Sequence, residues 1–309
     1  AYEAVLIVYH ITQYRNYYNG NLKFLGLPGD GGEYHAIKPE VKVGISSSST
    51  RKKEAWEFVR TLLTEDHQMS CMMLPIHRRA FDKVTQAAVE GKDVLVLAVP
   101  SPYTRNTSHN MRPYVKDGQL IVNVAKGIEE KTLLTLSQII EEELPQAEVA
   151  VLSGPSHAEE VGRGIPTTIV VEAKKKVTAE YLQNVFMNEV FRVYISPDVL
   201  GIELGAALKN VVALAAGIAD GLGYGDNTKA ALITRGITEI ARLGVAMGGR
   251  FETFCGLTGS GDLIGTCASM HSRNRRAGIL IGKGYTMQQA MDEVKMVVEG
   301  VYSAKAAMG

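Results

Sequence analysis

The chain has 309 residues, of which 46% are hydrophobic and 21% charged, a composition typical of a folded protein with more than one domain. Basic and acidic residues number 33 each, and the zero net charge argues against a nucleic-acid partner held by bulk positive charge. Three cysteines exclude a disulfide scaffold, and their odd number favours a reducing compartment. No apolar stretch predicts a membrane span.

The first third of the chain predicts short, irregular elements. Strands are expected at 3–10, 22–27 and 41–45, with a turn cluster at 27–32. Thr50 is a suitable N-cap for an amphipathic helix, and another short helix is predicted from Arg78. These elements indicate an α+β appendage over residues 1–84.

The middle of the chain predicts a Rossmann-like α/β domain over residues 85–196. Apolar runs without alternation are typical of strands buried on both faces of a parallel sheet. Such runs occupy 94–99, 120–125, 149–152 and 167–171, with a crossover helix expected at 131–144. The domain is incomplete, because none of the strands predicted before residue 94 is followed by the glycine-rich turn of a Rossmann fold.

The last third predicts an all-α domain over residues 197–309. Helices are expected at 198–222, 228–247, 273–283 and 287–307, with a glycine-rich loop at 256–266. No internal repeat interrupts this pattern.

Polar residues follow three of the predicted strands, where ligands bind in parallel sheets. They are found in Pro100-Ser101, Lys126-Gly127 and the segment Ser153 to Ser156. A cation at a buried strand end suits an anionic or hydroxylated ligand, although Lys126 could also be a solvated surface residue. Ser156 could instead form a capping box with Glu159 and simply begin a helix.

Lys209 is the strongest single candidate for a catalytic residue. Its helical neighbours three and four positions away are Gly205, Ala206, Val212 and Ala213, which are all small or apolar. Burial on such a face would lower the pKa of the lysine toward the range of a general base. The alternative is a lysine whose stem covers apolar surface while its ammonium reaches water.

A second cluster suits an anion. The glycine-rich segment 256–262 offers backbone N–H groups, and 272–276 supplies Ser272, Arg273 and Asn274 near a predicted helix start. Asp262 beside such a site would handle a hydroxyl group or a lysine. The alternative for the basic run is a solvated helix face.

Several common motifs are absent from the sequence. No complete G-x-G-x-x-G fingerprint and no P-loop occurs. Cys255, Cys267 and His271 are poorly spaced for a metal site, so no metal is expected. His109 and His157 lack a serine or cysteine that would suggest a catalytic triad.

Six segments in the last two thirds of the chain carry a specific resemblance. They are VLVLAVPS (94–101), AKGIE (125–129), LSGPSHAEEV (152–161), the stretch 204–236, GLTGSGDLIGTC (256–267) and SRNRRAG (272–278). In this order and spacing, residues 88–309 resemble bacterial NAD(P)-dependent glycerol-3-phosphate dehydrogenase. The resemblance implies a cytoplasmic enzyme that uses NAD(P) to interconvert dihydroxyacetone phosphate and sn-glycerol 3-phosphate. A homodimer is compatible with it.

The resemblance also implies a role for each site residue. Lys209 would be the general base for the C2 hydroxyl proton, with Lys126 and Asp262 orienting the substrate. The implied substrate-binding residues are Lys126, Gly154, Ser156, Lys209, Asn210, Asp262, Ser272, Arg273 and Asn274. The implied cofactor contacts are Pro100, Lys126, Ala158, Arg273, Val297 and Glu299.

The segment 1–84 departs from this family. Its stretches 26–68 and 74–81 resemble the C-terminal lobe of an extracellular sugar-type solute-binding protein of an ABC importer. We therefore interpret the chain as a composite joined near residues 83–90. Weak dinucleotide binding and little or no turnover are expected, and the alternative is a non-catalytic chain that binds only phosphate or sugar. The strand 94–99 would have an exposed edge unless 3–10 or 41–45 pairs with it.

Overall fold

The computed structural model describes residues 22–23, 45–46, 50–70 and 78–308, with side chains at 50–67 and 79–308. These residues fall into two compact units, which meet in sequence between residues 88 and 89. The predicted strand 3–10 and the turn cluster at 27–32 lie outside the described residues. The three-domain division at 84 and 196 stays a prediction.

The first unit contains one strand pair and a series of helices. Strand β1 (Leu22–Lys23) pairs antiparallel with β2 (Ile45–Ser46). Helices α1 (Lys52–Leu62), α2 (Glu65–Ser70) and α3 (Arg78–Val89) follow. The prediction of Thr50 as the N-cap was wrong, because α1 begins after Arg51 without a side-chain cap.

The second unit begins with a five-stranded sheet. Its strands are β3 (Val94–Leu97), β4 (Leu120–Asn123), β5 (Glu148–Ser153), β6 (Thr167–Ala173) and β7 (Phe191–Ile195), in spatial order 3-4-5-6-7. The connecting helices are α4 (Thr104–Met111), α5 (Leu136–Glu143), the short α6 (Ala158–Val161) and α7 (Lys176–Phe186). The predicted crossover helix at 131–144 is therefore shorter, and β7 was not predicted.

The sheet is parallel except for one pair. Strands β3, β4 and β5 run parallel, as do β6 and β7, whereas β5 and β6 are antiparallel with Leu152 opposite Val171. The link between β5 and β6 contains only the four-residue α6. A parallel return is usually made by a full helix across the face of the sheet, which this link lacks, and the chain turns back antiparallel. The predicted parallel sheet is confirmed, with this one antiparallel pair as the exception.

Helices cover both faces of the sheet, as the continuous apolar runs predict. On one face, Leu95, Ile121 and Val149 pack against Ile140 of α5. On the other face, Val122, Ile169 and Val193 pack in one cluster with residues of α7.

The rest of the second unit is helical. It contains α8 (Val199–Gly221), α9 (Asp226–Ala246), α10 (Phe251–Cys255), a π-helical turn (Leu257–Gly261), α11 (Asp262–Ala268), α12 (Arg273–Gly282), α13 (Met287–Val294) and α14 (Glu299–Met308). The predicted loop at 256–266 is thus helical. The helix predicted at 287–307 is broken where Lys295 adopts a left-handed conformation.

Helices α8 and α12 touch backbone to backbone. A Cβ atom at Gly217 would lie 2.1 Å from the Arg275 carbonyl oxygen, and one at Gly278 would lie 2.2 Å from the Leu214 carbonyl oxygen. Gly221 and Gly282 repeat the contact one turn further along, because a Cβ on either would lie 2.9 Å from the Cα of the other. Only glycine fits at such an approach.

Helix α8 is long and apolar enough to pass a length-and-composition test for a membrane span. However, 67% of that stretch is buried within the described residues. Burial of this kind is typical of the central helix of a folded domain, so the test is weak evidence for a membrane span.

Strand β3 pairs only with β4 among the described strands. Of the two segments expected to cover its free edge, 41–45 is described only at Ile45, which pairs with Lys23 instead, and 3–10 lies outside the described residues. Val96 on β3 is 50% exposed.

Candidate active site

A buried cluster of charges joins α8, α11 and the turn after β4. Lys209 Nζ donates hydrogen bonds to Asp262 Oδ1 and to the Thr266 hydroxyl, both at 2.6 Å. Lys126 Nζ donates to Asp262 Oδ2 and to the Gly154 carbonyl oxygen, both at 2.7 Å. The structure thus brings together the three predicted catalytic residues, with one carboxylate bridging two ammonium groups.

The burial of both lysines excludes the simpler alternatives for them. The side chain of Lys209 is 6% exposed, so it does not reach water as a surface-covering lysine would. The side chain of Lys126 is 18% exposed, and it is paired rather than solvated. Asp262 is 3% exposed at its side chain.

Burial and charge set the ionisation of the cluster. Burial lowers the pKa of Lys209 from 10.5 to about 8, Asp262 acts against this fall, and Lys126 adds to it. Burial alone would raise the pKa of Asp262, but the two lysines hold that pKa below its ordinary value. At neutral pH the cluster therefore holds a carboxylate and a lysine that loses its proton readily, which suits a general base.

The loop after β5 presents backbone oxygen to the cluster. Gly154 has a φ of +148°, and a Cβ there would lie 3.0 Å from the Cα of Ile169. The Ser156 hydroxyl donates to the Gly154 carbonyl oxygen at 3.1 Å. The capping-box alternative for Ser156 was wrong, because α6 begins after His157 without a side-chain cap.

A chain of amides links α8, α12 and α14. Asn274 Nδ2 donates to Asn210 Oδ1 at 2.9 Å, and Asn274 Oδ1 accepts from the Gly300 amide at 2.8 Å. The Ser272 hydroxyl caps α12 by accepting from the Arg275 amide at 3.2 Å. These predicted substrate-binding residues also fix the N-terminal end of α12.

The basic run at the start of α12 divides into residues with different roles. Arg275 donates to Asp220 at 2.8 Å and to the Ala268 carbonyl oxygen at 2.6 Å, so it braces the helix internally. The half-buried guanidinium of Arg273 has no hydrogen-bond or ion-pair partner among residues 79–308. Arg273 is therefore free to bind an anion at the positive end of the helix.

The glycine-rich segment has a packing role. A Cβ at Gly205 of α8 would lie 2.9 Å from the Thr258 carbonyl oxygen in the π-helical turn. Within that turn, the Gly261 amide donates to the Gly256 carbonyl oxygen at 3.0 Å. The prediction that this segment is a loop was wrong, since it is helical, whereas its predicted backbone contact with an anion stays a prediction.

The predicted cofactor contacts are partly assembled. Glu299 accepts hydrogen bonds from the amide and the hydroxyl of Ser101, the residue after Pro100. Burial raises the pKa of Glu299, and the hydrogen bonds from Ser101 and the charge of Arg273 act against this rise. A Cβ at Gly127, next to Lys126, would lie 2.5 Å from Ser101 Cβ.

The other two predicted cofactor contacts have apolar side chains. Ala158 is exposed at the first position of α6, and Val297 is half-buried just before α14. Neither side chain can form a polar contact, so their assignment rests on the resemblance alone.

Two residues near the cluster were not predicted. Thr266 follows Asp262 by one helical turn and accepts from Lys209, a spacing that the sequence does display. His157 is half-buried, and its ring centroid lies 6.2 Å from that of His271. Burial lowers the pKa of His157, and the charge of Lys209 adds to the effect.

Metal ligands are not assembled in the part of the chain that the structure describes. No group of three or more His, Cys, Asp or Glu side chains lies close enough there to hold an ion. Cys255 is exposed, Cys267 is buried, and both thiols are free.

Family models match most of the chain. The model described as NAD-dependent glycerol-3-phosphate dehydrogenase C-terminus matches residues 198–309, and its N-terminus counterpart matches residues 49–179. The second match begins well before residue 88, inside the segment that resembles a solute-binding protein.

Individual relatives agree with the family models. The glycerol-3-phosphate dehydrogenase [NAD(P)+] of Agathobacter rectalis is 60% identical over 271 residues, which cover 85% of this chain and 80% of that protein. The enzyme of the same name from Fusobacterium nucleatum is 62% identical over 259 residues, covering 83% and 77%. The crystal structure of glycerol-3-phosphate dehydrogenase from Coxiella burnetii has a TM-score of 0.70 at 37% identity and covers 72% and 68% of the two chains.

Proposed function

Because the chain belongs to the NAD(P)-dependent glycerol-3-phosphate dehydrogenase family, we propose that it interconverts dihydroxyacetone phosphate and sn-glycerol 3-phosphate, a precursor of glycerophospholipids. The observation that carries this proposal is the buried cluster in which Asp262 bridges Lys126 and Lys209. NAD(P), when bound, accepts or supplies the hydride at C2 of the substrate.

Lys209 handles the proton at the C2 oxygen. In the oxidation direction, its neutral amine accepts the hydroxyl proton, and the resulting ammonium is stabilised by Asp262 at 2.6 Å. In the reduction direction, the ammonium donates that proton to the oxygen of the former carbonyl. A pKa of about 8 leaves both forms of Lys209 accessible near neutral pH.

Lys126 and Arg273 bind and orient the two ends of the substrate. Lys126 is fixed by Asp262 and Gly154, so its remaining N–H can donate to a substrate oxygen beside Lys209. The guanidinium of Arg273 at the N-terminus of α12 has no partner among residues 79–308, and its geometry matches phosphate oxygens. Binding at both ends would hold the C2 hydroxyl against the base.

The described residues fit one end of NAD(P) better than the other. Lys126, Gly127, Ser101 and Glu299 lie together beside the proton-transfer cluster, where the nicotinamide would meet the substrate. The G-x-G-x-x-G turn that receives a pyrophosphate in Rossmann folds is absent from the sequence. We therefore expect weak dinucleotide binding and slow turnover.

The composite origin of the chain remains part of this proposal. The likeness of 26–68 and 74–81 to a solute-binding protein supports it, whereas the family match from residue 49 counts against it. A cytoplasmic location, which the resemblance implies and with which the three cysteines agree, belongs to the proposal, as does a homodimer.

The experiment that tests the function is NADPH oxidation by the purified chain with dihydroxyacetone phosphate. We expect slow turnover that Lys209→Ala reduces by about 10²-fold or more, as for loss of a general base. The matched control is Lys176→Ala, which removes an exposed lysine of α7 and should leave the rate unchanged. Equal rates in the wild-type chain and Lys209→Ala would refute the role of Lys209.

A binding measurement distinguishes the proposed enzyme from the alternative, a chain that binds its ligand without catalysis. Calorimetric titration with glycerol 3-phosphate should show binding that Arg273→Ala weakens at least tenfold. Binding without any NADPH oxidation would favour the phosphate-binding alternative. The absence of both binding and NADPH oxidation would refute the proposal. Sugar-dependent quenching of Trp56, which is 41% exposed, would instead support the sugar-binding alternative.

A further inference from the structure

A buried carboxylate that takes no part in the proposed chemistry lies close to the cluster. Glu203 belongs to α8, as Lys209 does, and it is 4% exposed. Glu203 accepts from the Ser137 amide at 2.9 Å and from the Ser137 hydroxyl at 2.5 Å. Asn123 Nδ2 lies 3.5 Å from the same carboxylate. One carboxyl group thus connects α8 with the start of α5 and the end of β4.

Asn123 shapes the turn that carries Lys126. Its side-chain oxygen accepts from the Ala125 amide at 3.1 Å, and its side-chain amide donates to the Ala125 carbonyl oxygen at 3.1 Å. On the other side of Lys126, Gly127 packs so closely on Ser101 that no side chain fits. The backbone of Lys126 is therefore held on both sides.

Glu203 and Lys126 also line the same small cavity. Its other walls are formed by Ala125, Gly127, Val151, Ser153 and Ala206, and the space is too small to hold a water molecule. Because the atoms around this space are closely packed, we expect a change at Glu203 or Asn123 to displace the turn that carries Lys126.

Burial of a carboxylate at this place carries a cost. Burial raises the pKa of Glu203, and the hydrogen bonds from Ser137 and Thr135 act against this rise. The N-terminal end of α5 adds a favourable dipole for the negative charge. An apolar side chain of similar size would avoid the cost, so stability alone does not account for a carboxylate at residue 203.

We propose that Glu203 and Asn123 are positioning residues that set the place of Lys126 relative to Asp262 and Lys209. The proposal rests on the proposed function, since it assigns the two residues to the same proton-transfer cluster. Lys126 comes from the sheet, whereas Asp262 and Lys209 come from the helical part, and Glu203 ties the two parts together. Neither Glu203 nor Asn123 has a hydrogen bond to Lys209, so both would act through Lys126.

The proposal has an electrostatic consequence that a merely structural role lacks. The charge of Lys126 helps to keep the pKa of Lys209 low. If Asn123→Ala lets Lys126 move away, the pKa of Lys209 should rise from about 8 by about 1 pH unit, the lower end of what a nearby charge produces. Lys126→Met should raise that pKa in the same direction.

The test is an NMR titration of the ¹³Cε signal of Lys209 in the full-length chain, which requires no turnover. The signal is assigned by its loss in Lys209→Arg. Asn123→Ala and Lys126→Met should each raise the pKa of Lys209, and the double variant should raise it no further than Lys126→Met alone. Glu203→Ala should act like Asn123→Ala, and Glu203→Gln, which keeps an acceptor for the Ser137 amide, should restore most of the original value.

The matched control is Glu172→Gln. Glu172 is a buried carboxyl group on β6 with no side-chain hydrogen bond among the described residues. Its replacement by glutamine should leave the pKa of Lys209 unchanged. Should Glu203→Ala fail to fold, Asn123→Ala and Ser137→Ala carry the test. An unchanged pKa in Asn123→Ala, or additive shifts in the double variant, would overturn the proposal. Absence of NADPH oxidation beside the expected shifts would contradict only the proposed function.

Discussion

Burial of Lys209 should lower the free energy of unfolding of the chain at neutral pH. Its pKa is lowered from 10.5 to about 8. At 1.36 kcal/mol per pH unit, folding therefore disfavours the charged form by about 3 kcal/mol. Lys209→Met removes this cost but also deprives Asp262 and Thr266 of a hydrogen-bond donor, a loss of about 1–2 kcal/mol. We expect the variant to gain about 1–2 kcal/mol in free energy of unfolding at pH 7 while losing turnover.

The pH dependence of this gain follows from the direction of the shift. Since the pKa of Lys209 is lower in the folded chain, the unfolded chain holds the proton longer, and the stability of the wild-type chain rises between about pH 8 and 10.5. The advantage of Lys209→Met should therefore shrink across that window.

Urea denaturation of both proteins at neutral pH and at about pH 9.5 measures the effect. Lys174→Met, which changes an exposed lysine paired with Glu141, is the control and should show no such trend. A difference in stability between Lys209→Met and the wild-type chain that is the same at both pH values would refute the reasoning, because it would mean that the pKa of Lys209 is not lowered.

Two further substitutions test the packing of the helical part. Asp198→Ala should lower the free energy of unfolding by about 3 kcal/mol. The reason is that the carboxylate accepts hydrogen bonds from the Gly201 and Arg250 amides and from the Thr253 hydroxyl at 2.6–2.9 Å. Urea denaturation measures this loss, and a value below about 1 kcal/mol would contradict the prediction. Gly278→Ala should cost about 1–3 kcal/mol by forcing α8 and α12 apart. Gly265→Ala on α11, where a Cβ meets nothing within 4 Å, is its control and should be neutral or slightly stabilising in the same assay.

The features that could be predicted from sequence are those that local patterns determine. Small and apolar neighbours along one helix indicated a core position for Lys209, which is 5% exposed, although they did not exclude a lysine that covers apolar surface. Continuous apolar runs were likewise enough to place four strands between two helical layers. Strand β7 was missed because its residues alternate in burial, with only Val193 fully buried at its centre.

The arrangement around Lys209 depends on contacts between distant segments, which no local pattern displays. Lys126 and Asp262 are 136 positions apart, and only the packing of α11 against α8 and the sheet brings them together. The break between α13 and α14 at Lys295 likewise could not be predicted, because no glycine or proline occurs at that position. The link from Glu203 to Asn123 spans 80 positions and involves residue types that are ordinary in isolation.

The glycine contacts between α8 and α12 have a consequence for selectivity by size. Because two backbones touch at Gly217 and Gly278, no side chain can rotate or be compressed to let one helix slide along the other. Lys209 on α8 and Arg273 on α12 are thus carried by a single rigid body, which fixes the span between the proposed base and the proposed anion contact. A ligand whose phosphate is separated from its hydroxyl carbon by one additional carbon would leave one of its two ends unbound.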